Sequence, residues 1–317
     1  MSENDSSNHF FLKKSKILVK EVSQPFVMAF NLSNNELAIV GNGLSRWDIK
    51  SKQRLFGELE EIIGYPNLLD IAFNPDGTTL AGADDTGVMV WNVASSDEII
   101  ILASNNPAYC VAFDPTGDFL VSGHADRRIR FWDTKTWQNV KVLDAGRHND
   151  VVSLNFNSNG SILISASADL AGLCISPDAI LVWDAFSNEV KKTFETGDQG
   201  VVRTQLGNDK FLLALIDQGR EYYHTVLVNI ETEEKSYISE LFSLNTSASI
   251  FGPNPSLIIC GNEDGSIIIL DVTIGEIIGK YTAHNSKITA LAFNEAQNLL
   301  VSTSEDGTII FWDTFSG

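Results

Sequence analysis

The sequence predicts an all-β chain built from seven successive units. Three observations point there. A Trp-Asp or Trp-Asn dipeptide returns at near-constant spacing, short apolar runs alternate with turn residues, and no stretch has the pattern of a long amphipathic helix. The dipeptide stands at Trp47-Asp48, Trp91-Asn92, Trp132-Asp133, Trp183-Asp184 and Trp312-Asp313, in steps of 44, 41, 51 and 129 residues. The last step is three times 43, and weaker copies fill it at Val228-Asn229 and Leu270-Asp271. The steps become 44, 41, 51, 45, 42 and 42.

Each unit repeats one order of elements. Residues 69–92 read LDIAFNPDGTTLAGADDTGVMVWN, 109–133 read YCVAFDPTGDFLVSGHADRRIRFWD, and 289–313 read TALAFNEAQNLLVSTSEDGTIIFWD. An apolar run leads to a polar turn, a second run, an Asp-containing turn and a third run ending at the Trp position. Alternation at this spacing predicts strands. Asn74-Pro75-Asp76-Gly77 and Asp114-Pro115-Thr116-Gly117 are turn chemistry, because Pro presets φ and Gly accepts a positive φ.

These residues resemble the Trp-Asp repeat β-propellers, over about residues 14–317. The resemblance implies a ring of seven four-stranded antiparallel blades with only short protected edges. It also implies a polar network in each blade. An Asp six residues before the Trp bonds a His near the start of the unit; that His bonds a Ser or Thr that reaches the Trp indole. The turn Asp positions are Asp85, Asp126, Asp264 and Asp306. Unit 7 holds the complete set, His284, Ser302, Asp306 and Trp312. Unit 3 keeps Ser122, Asp126 and Trp132 without a His at the matching place, and unit 2 keeps Asp85 and Trp91 with Ala81 at the Ser position. Unit 4 keeps His148, Ser165 and Trp183, with Asp169 as its Asp and ten extra residues at 170–179. Units 1, 5 and 6 are degenerate.

The chain ends five residues after Trp312, so unit 7 lacks its outer strand, while residues 16–20 form an orphan strand before the first unit. The N-terminus is therefore expected to supply that strand and close the ring, with residues 1–13 as a disordered tail and 14–317 as one propeller domain. On this reading no helical, kinase or protease domain is expected within the 317 residues.

With 22 basic and 41 acidic residues, the net charge of −19 argues against direct binding to nucleic acid or an anionic membrane surface. The start is too polar for a signal peptide, and no apolar run is long enough to span a bilayer. Cys110, Cys174 and Cys260 are odd in number and widely spaced, as expected of free thiols in a reducing, cytoplasmic protein. There is no Cys-x-x-Cys or His-x-x-x-His pair, no phosphate loop and no nucleophile elbow, so neither a metal nor a cofactor is expected. Arg127, Arg128 and Arg130 are expected on a solvated outer strand.

The resemblance implies a binding face where the unit starts and the second-to-third strand turns converge. Units aligned on Phe30, Phe73, Phe113, Phe156, Phe251 and Phe293 place Tyr65, Asn67, Asn105, Asp150, Asn245 and Lys287 there, with Asp84, Glu263 and Glu305 before the turn Asp. This face is polar and rather acidic, and Tyr65 is its large aromatic. The expected function is a non-catalytic scaffold or recognition subunit, a monomeric propeller within a hetero-complex, whose protein partner has a basic surface. The alternatives are a sensor or regulatory subunit of a complex whose catalytic part is another chain, and an enzyme with a site at the channel mouth.

Overall fold

A computed structural model describes residues 10–18, 25–41, 43–55, 68–94, 99–102, 104, 106–146, 149–169, 178–197, 200–207, 210–217, 223–242 and 244–316. Strand β1 (Phe10–Leu18) opens the chain. Blade 1 is β2 (Val27–Asn31), β3 (Glu36–Gly41), β4 (Gly43–Asp48) and β5 (Gln53–Leu55). Blade 2 is β6 (Asp70–Phe73), β7 (Thr79–Asp84), β8 (Gly87–Asn92) and β9 (Ile99–Leu102). Blade 3 is β10 (Ala108–Phe113), β11 (Phe119–His124), β12 (Arg128–Asp133) and β13 (Asn139–Asp144). Blade 4 is β14 (Asp150–Phe156), β15 (Ile162–Ala168), β16 (Asp178–Asp184) and β17 (Val190–Gly197). Blade 5 is β18 (Gly200–Leu206), β19 (Phe211–Asp217), β20 (Tyr223–Asn229) and β21 (Lys235–Tyr237), followed by a one-turn helix α1 (Ile238–Leu241). Blade 6 is β22 (Thr246–Phe251), β23 (Leu257–Asn262), β24 (Ser266–Asp271) and β25 (Glu276–Thr282). Blade 7 is β26 (Ile288–Asn294), β27 (Leu299–Ser304) and β28 (Ile309–Ser316), completed by β1 in the order β1-β28-β27-β26. The seven four-stranded antiparallel sheets form the expected seven-bladed β-propeller.

The core lies between blades, because alternate residues of each strand face the next sheet. Leu37, Ile39 and Trp47 of blade 1 pack on Leu299, Val301 and Phe311 of blade 7, and Leu18 of β1 joins them. Leu120 and Trp132 of blade 3 pack on Ala81, Val88 and Val90 of blade 2. All five Trp residues of the repeat are at most 4% exposed. The turn at 74–77 holds Gly77 at φ +74°, and a Cβ there would stand 2.1 Å from Asn31 Oδ1. Asn31 in turn donates from Nδ2 to the Gly77 carbonyl at 2.9 Å, tying blade 1 to blade 2.

Three sequence expectations are corrected here. The closing strand starts at Phe10, so residues 10–13, assigned to the tail, lie in the sheet; Phe10 and Leu12 are buried against blade 6 and set its start. Residues 1–9 of that tail lie outside the described residues. Within the insertion of blade 4, Asp178 and Ala179 already belong to β16, while 170–177 lie outside the described residues. Strand β12, carrying Arg128 and Arg130, is a third strand, not an outer one; Arg130 is 8% exposed because Asp126 holds it.

Deleting residues 1–18 removes β1 and bares the edge of β28, so thermal unfolding should move down by well over 10 °C or lose cooperativity. Deleting residues 1–9, which leaves β1 whole, should leave Tm unchanged. Equal Tm values for the two truncations would show that β1 does not close the ring.

Candidate functional site

Two groups of polar residues meet at one end of the propeller: the networks inside the blades and the rim of the central channel. In blade 7, Trp312 Nε1 donates to Ser302 Oγ at 2.9 Å, and Ser302 Oγ lies 2.7 Å from His284 Nε2. The link from His284 to Asp306 is not direct. Their closest approach is 4.0 Å, and the Thr308 hydroxyl stands between them, bonded to His284 Nδ1 and to Asp306 Oδ1. Asp306 also accepts from the backbone N–H of Asn285 at 3.0 Å and of Thr308 at 2.9 Å. Burial works against the Asp306 carboxylate, but these hydrogen bonds outweigh it and hold its pKa below the ordinary value.

Blade 3 builds the same junction differently. Trp132 Nε1 donates to Ser122 Oγ at 2.8 Å, and the ring that meets Ser122 is His124 from the same strand, at 2.7 Å. Asp126 is left to clamp Arg130 through two bonds of 2.9 and 2.6 Å. In blade 4, Trp183 reaches Ser165 at 2.8 Å, and His148 lies outside the described residues.

Blade 2 departs from the sequence expectation. Leu80 faces Trp91 as Leu300 faces Trp312, but the hairpin is one residue shorter. Gly82, rather than Ala81, therefore occupies the Ser position, and the buried Trp91 Nε1 has no hydrogen-bond partner. The same deletion shifts the turn. Asp84 is the buried carboxylate, 2% exposed, accepting from Thr86 N at 2.8 Å, Thr86 Oγ1 at 2.7 Å and Gly87 N at 3.0 Å. Asp85 is exposed at the tip. Asp84 thus leaves the binding rim, and Asp85 leaves the network. Blades 5 and 6 replace both ends of the junction with apolar groups, Ala214 with Val228 and Cys260 with Leu270. Removing both partners together leaves no buried orphan. Burial pushes the Cys260 thiol up to about 12, so it is an inert, protonated core residue. In blade 6, Asp264 finds no His and bonds Ser266 instead.

On the rim, unit starts and turns are stitched together. Glu263 N donates to Asn245 O and Glu305 N to Lys287 O, each at 3.0 Å, and Ala125 N donates to Pro107 O at 3.1 Å. Asn245 and Glu305 are exposed, and Asp150, Glu263 and Lys287 are half-buried. Lys287 Nζ lies over the ring of Tyr223, 4.9 Å from its centre. Tyr65, Asn67 and Asn105 lie outside the described residues. Burial raises the Asp150 pKa, and the neighbouring Asp169 carboxylate pushes it the same way. Asp70 also sits above its ordinary value through burial, which Arg203 and the Val111 N–H, at 3.1 Å from Asp70 Oδ2, only partly offset.

The rim surrounds a channel of about 840 Å³ whose lining was not foreseen. The inner strands β10, β14, β18, β22 and β26 each carry a bulge, so that Tyr109, Val152, Val202, Ser247 and Thr289 have no partner across the ladder. Phe26 and Leu69 take the same place in blades 1 and 2, each donating its N–H to the carbonyl that the next residue faces. All seven line the channel. Their signal in sequence is a fixed offset, four residues before the aligned Phe or, in blade 5, before Leu206. Among the described residues, no group of three or more His, Cys, Asp or Glu side chains could hold a metal ion.

Comparison with known proteins places this geometry. The family described as "WD domain, G-beta repeat" matches residues 59–92, 98–133, 137–170 and 275–313. Four stretches of this propeller thus match the repeat model. It is 26% identical over 247 residues to the serine-threonine kinase receptor-associated protein of Mus musculus, covering 77% of this chain and 66% of that protein. It is 24% identical over 306 residues to WD repeat-containing protein 1 of Gallus gallus, covering 91% and 48%. Protein tipD of Dictyostelium discoideum is 23% identical over 309 residues, covering 92% and 47%. The chain spans about half to two thirds of the length of these relatives.

Two outcomes follow for the networks. Ser302→Ala strands Trp312 Nε1 and His284 Nε2 at once and should cost about 2–4 kcal/mol in chemical denaturation. In the short hairpin, Asp84→Ala should cost about 1–2 kcal/mol and Asp85→Ala close to nothing; the reverse ranking would refute the shifted turn.

Acid should act through the histidines. Burial is the main cause that holds His124 and His284 neutral in the fold, both down to about 4. The unfolded chain, with imidazoles near 6.5, binds more protons between pH 6.5 and 4, so stability is full above that window and falls as pH drops through it. The loss is up to roughly 3 kcal/mol per histidine. Tm measured from pH 7 to 4 should fall less steeply in His124→Asn than in wild type, even though the variant starts lower.

Proposed function

We propose that this chain is a non-catalytic scaffold or recognition subunit that binds a protein partner on the propeller face around the channel mouth. The observation that carries the reading is that Lys287 and Glu305, bonded to each other through their backbones, line the channel, and that Asn245 and Glu263 form the corresponding pair in the neighbouring blade; Asp150 joins this proposed face by its place in the repeat. Tyr65, Asn67 and Asn105 belong to the same proposed face by their place in the repeat. One relative is named for association with a serine-threonine kinase receptor, which supports the reading. The excess of acid favours a basic partner surface, because long-range attraction speeds encounter. The propeller is proposed to act as one monomer within a hetero-complex in the reducing cytoplasm, where buried Cys110 and Cys260 stay as thiols.

The test is affinity capture from cells with the tagged full chain, quantified by mass spectrometry. Glu305→Lys with Asp150→Lys should strip the captured partner, whereas Glu276→Lys, exposed on the outer strand β25, should not. Association measured with the identified partner should slow as salt rises from about 0.05 to 0.5 M, since the Debye length shrinks from roughly 14 to 4 Å. Loss of the partner with Glu276→Lys and not with the rim pair would move the contact to the blade edges and refute the assignment.

A further inference from the structure

The ring of bulge residues is the feature that the proposed face does not yet use. In blades 1 to 5 it reads Phe26, Leu69, Tyr109, Val152 and Val202, of which Tyr109 alone bears a hydroxyl, at the far end of its ring; blades 6 and 7 contribute the short hydroxyl side chains Ser247 and Thr289. Those hydroxyls are engaged, Ser247 with the Ile288 carbonyl at 2.6 Å and Thr289 with Thr303 at 3.0 Å. Phe26, Leu69 and Val202 are 37%, 38% and 42% exposed although they lie on or just before innermost strands, where the other apolar side chains are mostly covered. They line the channel. An arc of apolar surface around five sevenths of a mouth is not needed for packing.

In blades 2, 4 and 5 the apolar layer is one residue deep. One position further along come Asp70, Ser153 and Arg203, which also line the channel, while Val27, Ala248 and Ala290 take that place in blades 1, 6 and 7. Asp70 and Arg203 face each other electrostatically, and Ser153 is bonded to Thr204 at 2.9 Å. A large apolar ligand would meet charge at this floor, whereas one side chain would stop above it. Among the described residues, the carboxylates Asp169, Asp217 and Glu305 stand around the layer, with Asp150 beside Tyr109, and the basic groups there are Lys287, placed on Tyr223, and Arg203 in the floor. The mouth is thus apolar inside and acidic outside, on a chain of net charge −19.

We infer that the channel mouth is a socket for one bulky apolar side chain of a partner polypeptide, presented in a segment with Lys or Arg within a few residues. This inference rests on the proposed partner face and names the chemistry of what docks there. The apolar anchor is desolvated by the arc from Phe26 to Val202, and the flanking cations meet the carboxylate rim. Anchors in such pockets dominate binding, while rim charges set partner choice and encounter rate.

The experiment is selection of random twelve-residue peptides displayed on phage against the immobilised full chain, followed by affinity measurement of the enriched peptides. Enriched sequences should share one Leu, Met, Phe or Trp with Lys or Arg within three positions. Replacing that residue by Ala, or the nearby cations by Glu, should weaken binding about tenfold or more. Val202→Asp and Leu69→Ser should do the same from the protein side. Both positions are part-exposed, so Tm should hold; two substitutions at separate blades keep the test alive if one of them unfolds. Glu276→Lys should change nothing. No enrichment, enrichment of acidic or purely polar peptides, or binding indifferent to both collar substitutions would overturn the socket. If Glu305→Lys with Asp150→Lys releases the cellular partner while Val202→Asp and Leu69→Ser do not, the socket falls and the partner face stands. If none of them releases it, both fall.

Discussion

Strand β1 lies antiparallel to β28, from Phe10 beside Ser316 to Leu18 beside Ile309. Residues from opposite ends of the chain thus share one sheet, and the other six blades are held in a circle by that pairing. The entropy of closing so long a loop grows only with the logarithm of its length, so a nine-residue strand with buried Phe10, Leu12 and Leu18 can offset it. Without the pairing, blade 7 would end in a bare edge and the interfaces of blades 6, 7 and 1 would lose those three side chains. Closure and core packing are the same event here, since the core exists only between neighbouring blades.

The polar junctions show how far a repeat can drift while each buried group stays satisfied. Blade 7 uses Thr308 as a relay, blade 3 takes its imidazole from the same strand, and blades 5 and 6 abandon polarity at both ends together. Blade 2 departs from this, with an indole N–H left without a partner over Gly82, and in blade 6 the buried Asn262 Oδ1 likewise has none. A Cβ at Gly82 would fall 2.6 Å from Leu68 and 2.9 Å from the Trp91 ring, so the space that a serine would need is already filled.

The period, the turns and the closure were legible in the sequence because they depend on spacing and on residues with few conformational choices. Trp positions count units, Pro and Gly mark turns, and an orphan strand beside a vacancy implies a pairing. Partner choice inside a blade was less legible, because several hydroxyls and imidazoles compete for one junction and the nearest wins. A single deleted residue between Leu80 and Trp91 was enough to exchange the roles of Asp84 and Asp85. The collar was missed for another reason. A bulge is a matter of backbone register, and Val152 or Val202 in an apolar run looks like any core residue until its pairing is known.

A bulge adds a side chain without adding a rung to the ladder. Cys110 still faces Gly123 and Arg203 still faces Leu215 whatever stands at 109 or 202. Substitution at the bulged positions 109, 152 and 202 is therefore uncoupled from strand register. Descendants of one such ring can exchange these residues one at a time, changing what they hold while inheriting an unaltered framework.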